Sequence, residues 1–191
     1  MNHIIKALAT GFVALFLLGM NGAVAQVALN SGEDDGTVEL LAELANPDAE
    51  HPEKIEEEIL DRWSKSGSRS MDLLLERGRD ALKNDNIKVA IEHLTALTDH
   101  APNFAEGWNA RATAFFELDE YGLSIADISR ALALNPMHFD AMTGLGIMLE
   151  QMEQHENALR VFREAQRINP HRERVNEAID RLSALVGDRS I

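Results

Sequence analysis

Seven histidines, at positions 3, 51, 93, 100, 138, 155 and 171, are the first residues in this 191-residue chain that could do chemistry. Metal binding on a helix wants two of them three or four places apart, or a helix-borne pair with an acid between. No two have that spacing: His93 and His100 are two helical turns apart and lack the acid. They read as solvated histidines at turns, and no metal is expected. Ser64, Ser66, Ser68 and Ser70 cluster, but neither a G-x-S-x-G elbow nor an S-x-x-K pair surrounds them. Ser70 reads instead as the N-cap of a helix with Asp72 in its first turn. Gly144-Leu145-Gly146 begins like a dinucleotide loop, without a third glycine or a preceding strand. The seven methionines are scattered and suit core filling. With no cysteine there is no thiolate ligand, thiol nucleophile, disulfide or lipidated anchor. No catalytic set is left, no cofactor is expected, and the chain is not read as an enzyme.

Charge narrows the partners. The net charge is −14, and residues 31–61 hold 12 acidic residues against one lysine. Such a surface repels nucleic acid and anionic lipid, which need a basic footprint.

The elements come next. Residues 1–25 have the pattern of a cleavable signal peptide: a weakly basic head, an apolar run from Ala7 to Met20, and Ala23-Val24-Ala25 as a small-x-small site. The apolar run is short for a bilayer span, so the mature chain is expected to begin near Gln26. A cysteine-free exported chain suits the bacterial periplasm, with secretion as the fallback. Residues 26–36 read as a flexible acidic linker. Residues 37–70 read as a helical hairpin. Thr37 to Ala45 sets Leu40, Leu41 and Leu44 on one face, and Glu53 to Lys65 sets Ile55, Ile59 and Trp63 at four-residue steps. Glu56 stands where a small residue would be wanted, which marks this hairpin as a degenerate cap.

Pro102, Pro136 and Pro170 lie 34 residues apart. They divide the chain into 71–104, 105–138 and 139–172, and each proline stops a helix. Within these units the early large position holds Leu74, Trp108 and Met142, and the crossing position of the first helix holds Gly78, Ala112 and Gly146. Ala81, Phe115 and Leu149 follow. The second helix carries Ala90, Ser124 and Ala158, then Leu94, Ile128 and Phe162, then Leu97, Ala131 and Ala165. Gly78, Ala112 and Gly146 are expected to face Ala90, Ser124 and Ala158 where the paired helices cross. Trp108 and Phe115 are expected to fill the gap between units. Asp85-Asn86 and Asp119-Glu120 would turn the chain and cap the second helices. Residues 173–187 form one more amphipathic helix stopped by Gly187.

This pattern resembles the tetratricopeptide repeat over 102 residues. The resemblance implies an all-α, right-handed helix–turn–helix solenoid of three units with capping helices at both ends. It implies a concave groove lined by the first helices, in which protein or peptide partners lie. The groove positions carried over are Arg79 and Lys83, then Asn109, Thr113 and Phe116, then Thr143 and Ile147, with acids such as Glu106 and Glu150 among them. Leu75 stands where chaperone-binding members place a clamp lysine, which argues against a carboxylate clamp. The reading is a non-enzymatic, periplasmic protein-interaction module, with no nucleic acid and no membrane span after cleavage, and a monomer is compatible with it. The alternative is a structural subunit of an envelope complex, docking through its convex face or its acidic hairpin.

Overall fold

The computed structural model describes residues 35–188. Among them there are nine helices and no strand: α1 (Asp35–Leu44), α2 (Pro52–Trp63), α3 (Arg69–Lys83), α4 (Ile87–His100), α5 (Ala105–Phe116), α6 (Tyr121–Leu134), α7 (Phe139–Gln151), α8 (His155–Ile168) and α9 (Glu173–Asp188). The 1–25 leader and most of the 26–36 linker fall outside the described residues. The last two residues assigned to the linker, Asp35 and Gly36, already belong to α1.

The three prolines act as their spacing predicts. Helices α4, α6 and α8 each end two residues before one of them. The intervening residues Ala101, Asn135 and Asn169 leave helical backbone, with φ between −129° and −134°, as the clash with a following proline ring requires. The turn inside each unit is built differently from the sequence expectation. Asn86, Glu120 and Gln154 precede the second helices, yet none makes a side-chain cap. Their amide N–H groups instead reach back to Ala81, Phe115 and Leu149 carbonyls at 2.8–2.9 Å. The residues just before them, Asp85, Asp119 and Glu153, take positive φ of 58–60°. This is the 6→1 closure of a helix C-terminus in which glycine usually holds the left-handed place. Ser70 likewise lies inside α3, whose N-cap is Ser68 without a side-chain bond. Asp72 accepts from the Ser66 N–H and hydroxyl instead. Gly187 does not stop α9, which runs to Asp188.

Contacts group the chain into two compact units: Leu60–Ala141, and a second that joins the described parts of Met1–Ile59 and Met142–Ile191. In Leu60–Ala141, α3 packs on α4, α5 on α6, and α5 also on α4 and α3. Leu75, Ala90, Leu94, Leu97 and Ala114 make its core, with Met71, Leu74 and Phe104 packed around them. In the other unit α8 packs on α9 and touches α1, around Met142, Leu145, Leu149, Phe162 and Leu182. The hairpin residues of this unit lie against the turn after Pro170. The Glu56 carboxylate accepts from Asn169 and from the Arg172 guanidinium at 2.6 Å. The His171 ring donates to the carbonyls of Leu44 and Asn46 at 3.1 and 3.0 Å, which satisfies the open end of α1. Glu56, out of place for a helix crossing, thus serves as an ion-pair partner.

The crossing glycines are needed, but against other neighbours than expected. A Cβ on Gly78 would stand 2.6 Å from Leu94, and one on Gly146 would stand 2.6 Å from the Phe162 ring. The larger side chain one turn beyond Ala90 or Ala158 sets the approach. In the middle unit, Ala112 meets Ser124 directly, whose hydroxyl donates to the Ala112 carbonyl at 2.7 Å. Ala90, Ala131, Ala158 and Ala165 are buried, as close-packed helices require. Gly146→Ala is expected to cost about 2 kcal/mol, since the flat, buried Phe162 ring has nowhere to go. Gly78→Ala should cost less, because Leu94 has other rotamers. Chemical denaturation of the two variants checks the order, and equal costs would refute it.

Candidate functional site

In Leu60–Ala141, a buried carboxylate brings two of the groove positions, Arg79 and Asn109, together. Glu106, in the first turn of α5, is 5% exposed. Its carboxylate accepts from the Arg79 guanidinium of α3 at 2.6 Å and lies 2.7 Å from His138 Nε2, just before α7. Asn109, one turn along α5, adds weaker contacts at 3.3 and 3.4 Å. Thr113 is exposed and donates to the Asn109 carbonyl at 3.2 Å. Arg79, read from the sequence as a basic groove residue, is thus paired with Glu106 and also donates to the Ser64 hydroxyl at 2.9 Å. Lys83 remains exposed, 3.8 Å from Asp80 on its own helix. Phe116 is half-buried with its ring against the edge of Tyr121. Thr143 and Ile147 belong to the other unit.

His138 is the clearest departure from the reading of the histidines as solvated: it is fully buried. One face of its ring meets Trp63 at 4.8 Å between centroids, and Trp63 also meets Phe139 at 5.1 Å. The end of α2 therefore lies over the surface formed by Arg79, Glu106, His138 and Phe139. Leu75, at the clamp-lysine position, is only 2% exposed. Neither Trp63 nor His138 stood out as a site residue in the sequence. The available signal was the row Phe104, His138 and Arg172, one repeat apart and each just before a first helix, where a histidine and an arginine stand at the place of Phe104.

Trp108 and Phe115 do not simply fill a gap. Both are half-buried, and the Arg111 guanidinium lies over both rings, 4.9 and 5.7 Å from their centroids. It binds Asp127 of α6 through two nitrogens at 2.7 and 2.9 Å. This arginine is a positioned link between α5 and α6, held by charge and ring contact together.

In the second unit, a cavity of about 660 Å³ opens between α7 and α9. Ile147, Phe162, Val175 and Ala178 supply its apolar wall, and Thr143 is at its side. Arg181 binds Glu150 at 2.9 and 3.0 Å, and Arg172 is turned to Glu56. Arg174 and Glu177 add one charge of each sign to the rim. Ile147 is 40% exposed, a large apolar side chain open at the wall. The volume is of the size that takes a few side chains of a ligand. No group of three or more potential metal ligands occurs among the described residues, and no described helix is long and apolar enough to cross a membrane.

A family model for the tetratricopeptide repeat matches residues 75–128 and 110–173, more than half of the chain. The chain belongs to the tetratricopeptide repeat family. A TPR repeat-containing protein of Rhizobium etli is 28% identical over 144 residues, 75% of this chain and 71% of that one. A human protein SGT1 homolog is 31% identical over 90 residues, which span 47% of this chain and 25% of that protein. Among solved structures, the first TPR of Spaghetti, bound to an HSP90 peptide, aligns with a TM-score of 0.60 at 22% identity, covering 63% of this chain and 95% of that one. The fold is accordingly an all-α tetratricopeptide solenoid, as its repeat pattern implies.

Burial alone would raise the Glu106 pKa; the His138 hydrogen bond and charge, together with Arg79, outweigh it and hold the group below its usual 4.5. A native carboxylate with a lowered pKa adds stability that is full above the usual carboxylate range. That stability is lost as pH falls through the lowered value. Glu106→Ala is expected to cost about 3 kcal/mol at pH 7 and to make stability fall less steeply in acid. Urea titrations at pH 7 and across the acid limb measure both, and identical acid sensitivity in the two chains would refute the role of Glu106.

Proposed function

We propose that this tetratricopeptide protein is a non-enzymatic interaction module of the bacterial periplasm, which holds a peptide or protein segment against its first helices. The observation that carries the reading is the cavity between α7 and α9. It combines an exposed apolar side chain, Ile147, with a rim of both charges, Glu150, Arg174, Glu177 and Arg181. That chemistry suits a segment with an apolar anchor flanked by polar or charged residues, since the anchor supplies burial and the rim fixes register. The structural neighbour described above holds a peptide on the same kind of scaffold. The periplasmic assignment rests on the signal-peptide pattern of residues 1–25.

Ile147→Glu should leave the thermal melt nearly unchanged, because the side chain is already well exposed. It should also reduce recovery of the bound protein from envelope extract by about tenfold. Unchanged recovery would remove the cavity from the binding surface. Export has its own test: N-terminal sequencing of the chain from a periplasmic fraction should read from Gln26, and a cytoplasmic chain retaining Met1 would refute it.

A further inference from the structure

The surface around Glu106 is covered by the chain's own Trp63 and Ser64. Arg79, Glu106 and His138 are fixed by ion pair and hydrogen bond at 2.6 and 2.7 Å, so the guanidinium and the imidazole ring keep their places whatever lies above them. Above them lies Trp63-Ser64. The indole faces His138 and Phe139, and the Ser64 hydroxyl accepts from Arg79 while donating to the Leu60 carbonyl at 2.7 Å. An aromatic ring on a ring platform and a hydroxyl on a guanidinium are contacts a separate peptide could reproduce. The tether suits an exchangeable segment. Lys65, Gly67 and Ser68 are exposed. Gly67 has φ +82° with nothing within 4 Å of where a Cβ would stand, so no neighbour packs on that side of the tether. Asp72 holds the Ser66 N–H and hydroxyl at 2.7 and 2.6 Å, which sets the resting position.

We propose that the Arg79–His138–Phe139 surface is a peptide site whose resting occupant is the chain's own Leu60–Ser68 stretch. Its ligand from outside is a segment that presents an aromatic side chain followed by a hydroxyl residue. This rests on the protein-binding reading above and names both a second ligand class and its regulation. A tethered occupant competes at high effective concentration, so an outside peptide binds weakly until the occupant is weakened or outnumbered. The Glu106 pairs hold Arg79 and His138 from beneath, which favours exchange over remodelling.

The test uses the full chain and a fluorescein-labelled peptide of residues 60–68, with a second peptide carrying alanine in place of the tryptophan. The Trp63→Ala chain is expected to bind the tryptophan peptide about tenfold more tightly than the wild-type chain does, because its own occupant has lost the ring. The alanine peptide should bind neither. Saturating tryptophan peptide should also speed amide hydrogen exchange at residues 60–66 of the wild-type chain, a readout that does not depend on the variant folding. Equal affinity for both chains, or unchanged exchange in the wild type, overturns the proposal. If those results came with Ile147-dependent capture intact, the occupied site would fail while the protein-binding reading stood. Loss of Ile147 dependence with peptide exchange preserved would mean the reverse.

Discussion

A buried glutamate has to be answered by charge, and in this chain that requirement organises the surface where the first helices meet. Glu106 is out of water at the start of α5, and desolvation of a lone carboxylate would expel its charge or unfold its site. Arg79 comes to it from α3 and His138 from the segment before α7, so one side chain ties α3, α5 and that segment. Hydrophobic contact between neighbouring repeats can slide with little penalty; a charge with two directed partners cannot. The same knot decides what the surface offers, because Arg79 presents an N–H donor to a hydroxyl oxygen and His138 presents a flat ring. The Trp63-Ser64 pair lies on those two features.

The helix pairs beneath depend on a different constraint, the absence of a side chain. Gly78 and Gly146 let Leu94 and Phe162 reach the backbone of the preceding helix. Without that close approach α3 could not pack on α4, nor α7 on α8, as closely as they do. Where the middle unit carries Ala112, the hydroxyl of Ser124 uses the same closeness to bond a carbonyl. The turn residues Asp85, Asp119 and Glu153 hold a left-handed backbone at the same period, a cost tolerated because each closes the end of a helix.

Much of the fold was legible because it is local and repeated. The prolines, the small crossing residues and the apolar steps all act within a few turns of where they stand, so their spacing carries the helix pairs directly. The candidate site was less legible because its decisive contacts cross repeats. Arg79 and Glu106 are 27 residues apart, Glu106 and His138 are 32 apart, and Glu56 meets Arg172 across 116. A position taken from a repeat pattern says which way a side chain leaves its helix, not what covers it. Arg79 was therefore expected as open basic surface and is found between Glu106 and Ser64. Lys83, Thr113 and Ile147 keep the open character that their positions implied, and Ile147 does so at the wall of a cavity. The turn chemistry was misread for a different reason. Asp and Asn at a turn suit side-chain capping and left-handed backbone equally, and here the backbone use prevails.

The proposed function is recognition, with an open apolar pocket in one unit and a ring platform covered by Trp63-Ser64 in the other. Everything said of the platform depends on Glu106 and His138 acting as a pair, which a double-mutant cycle with Glu106→Gln and His138→Phe measures by urea denaturation at pH 7. The expected result is a coupling of at least about 1 kcal/mol between the two substitutions. Additive costs would contradict it, showing that the carboxylate and the imidazole share a site without holding each other in place.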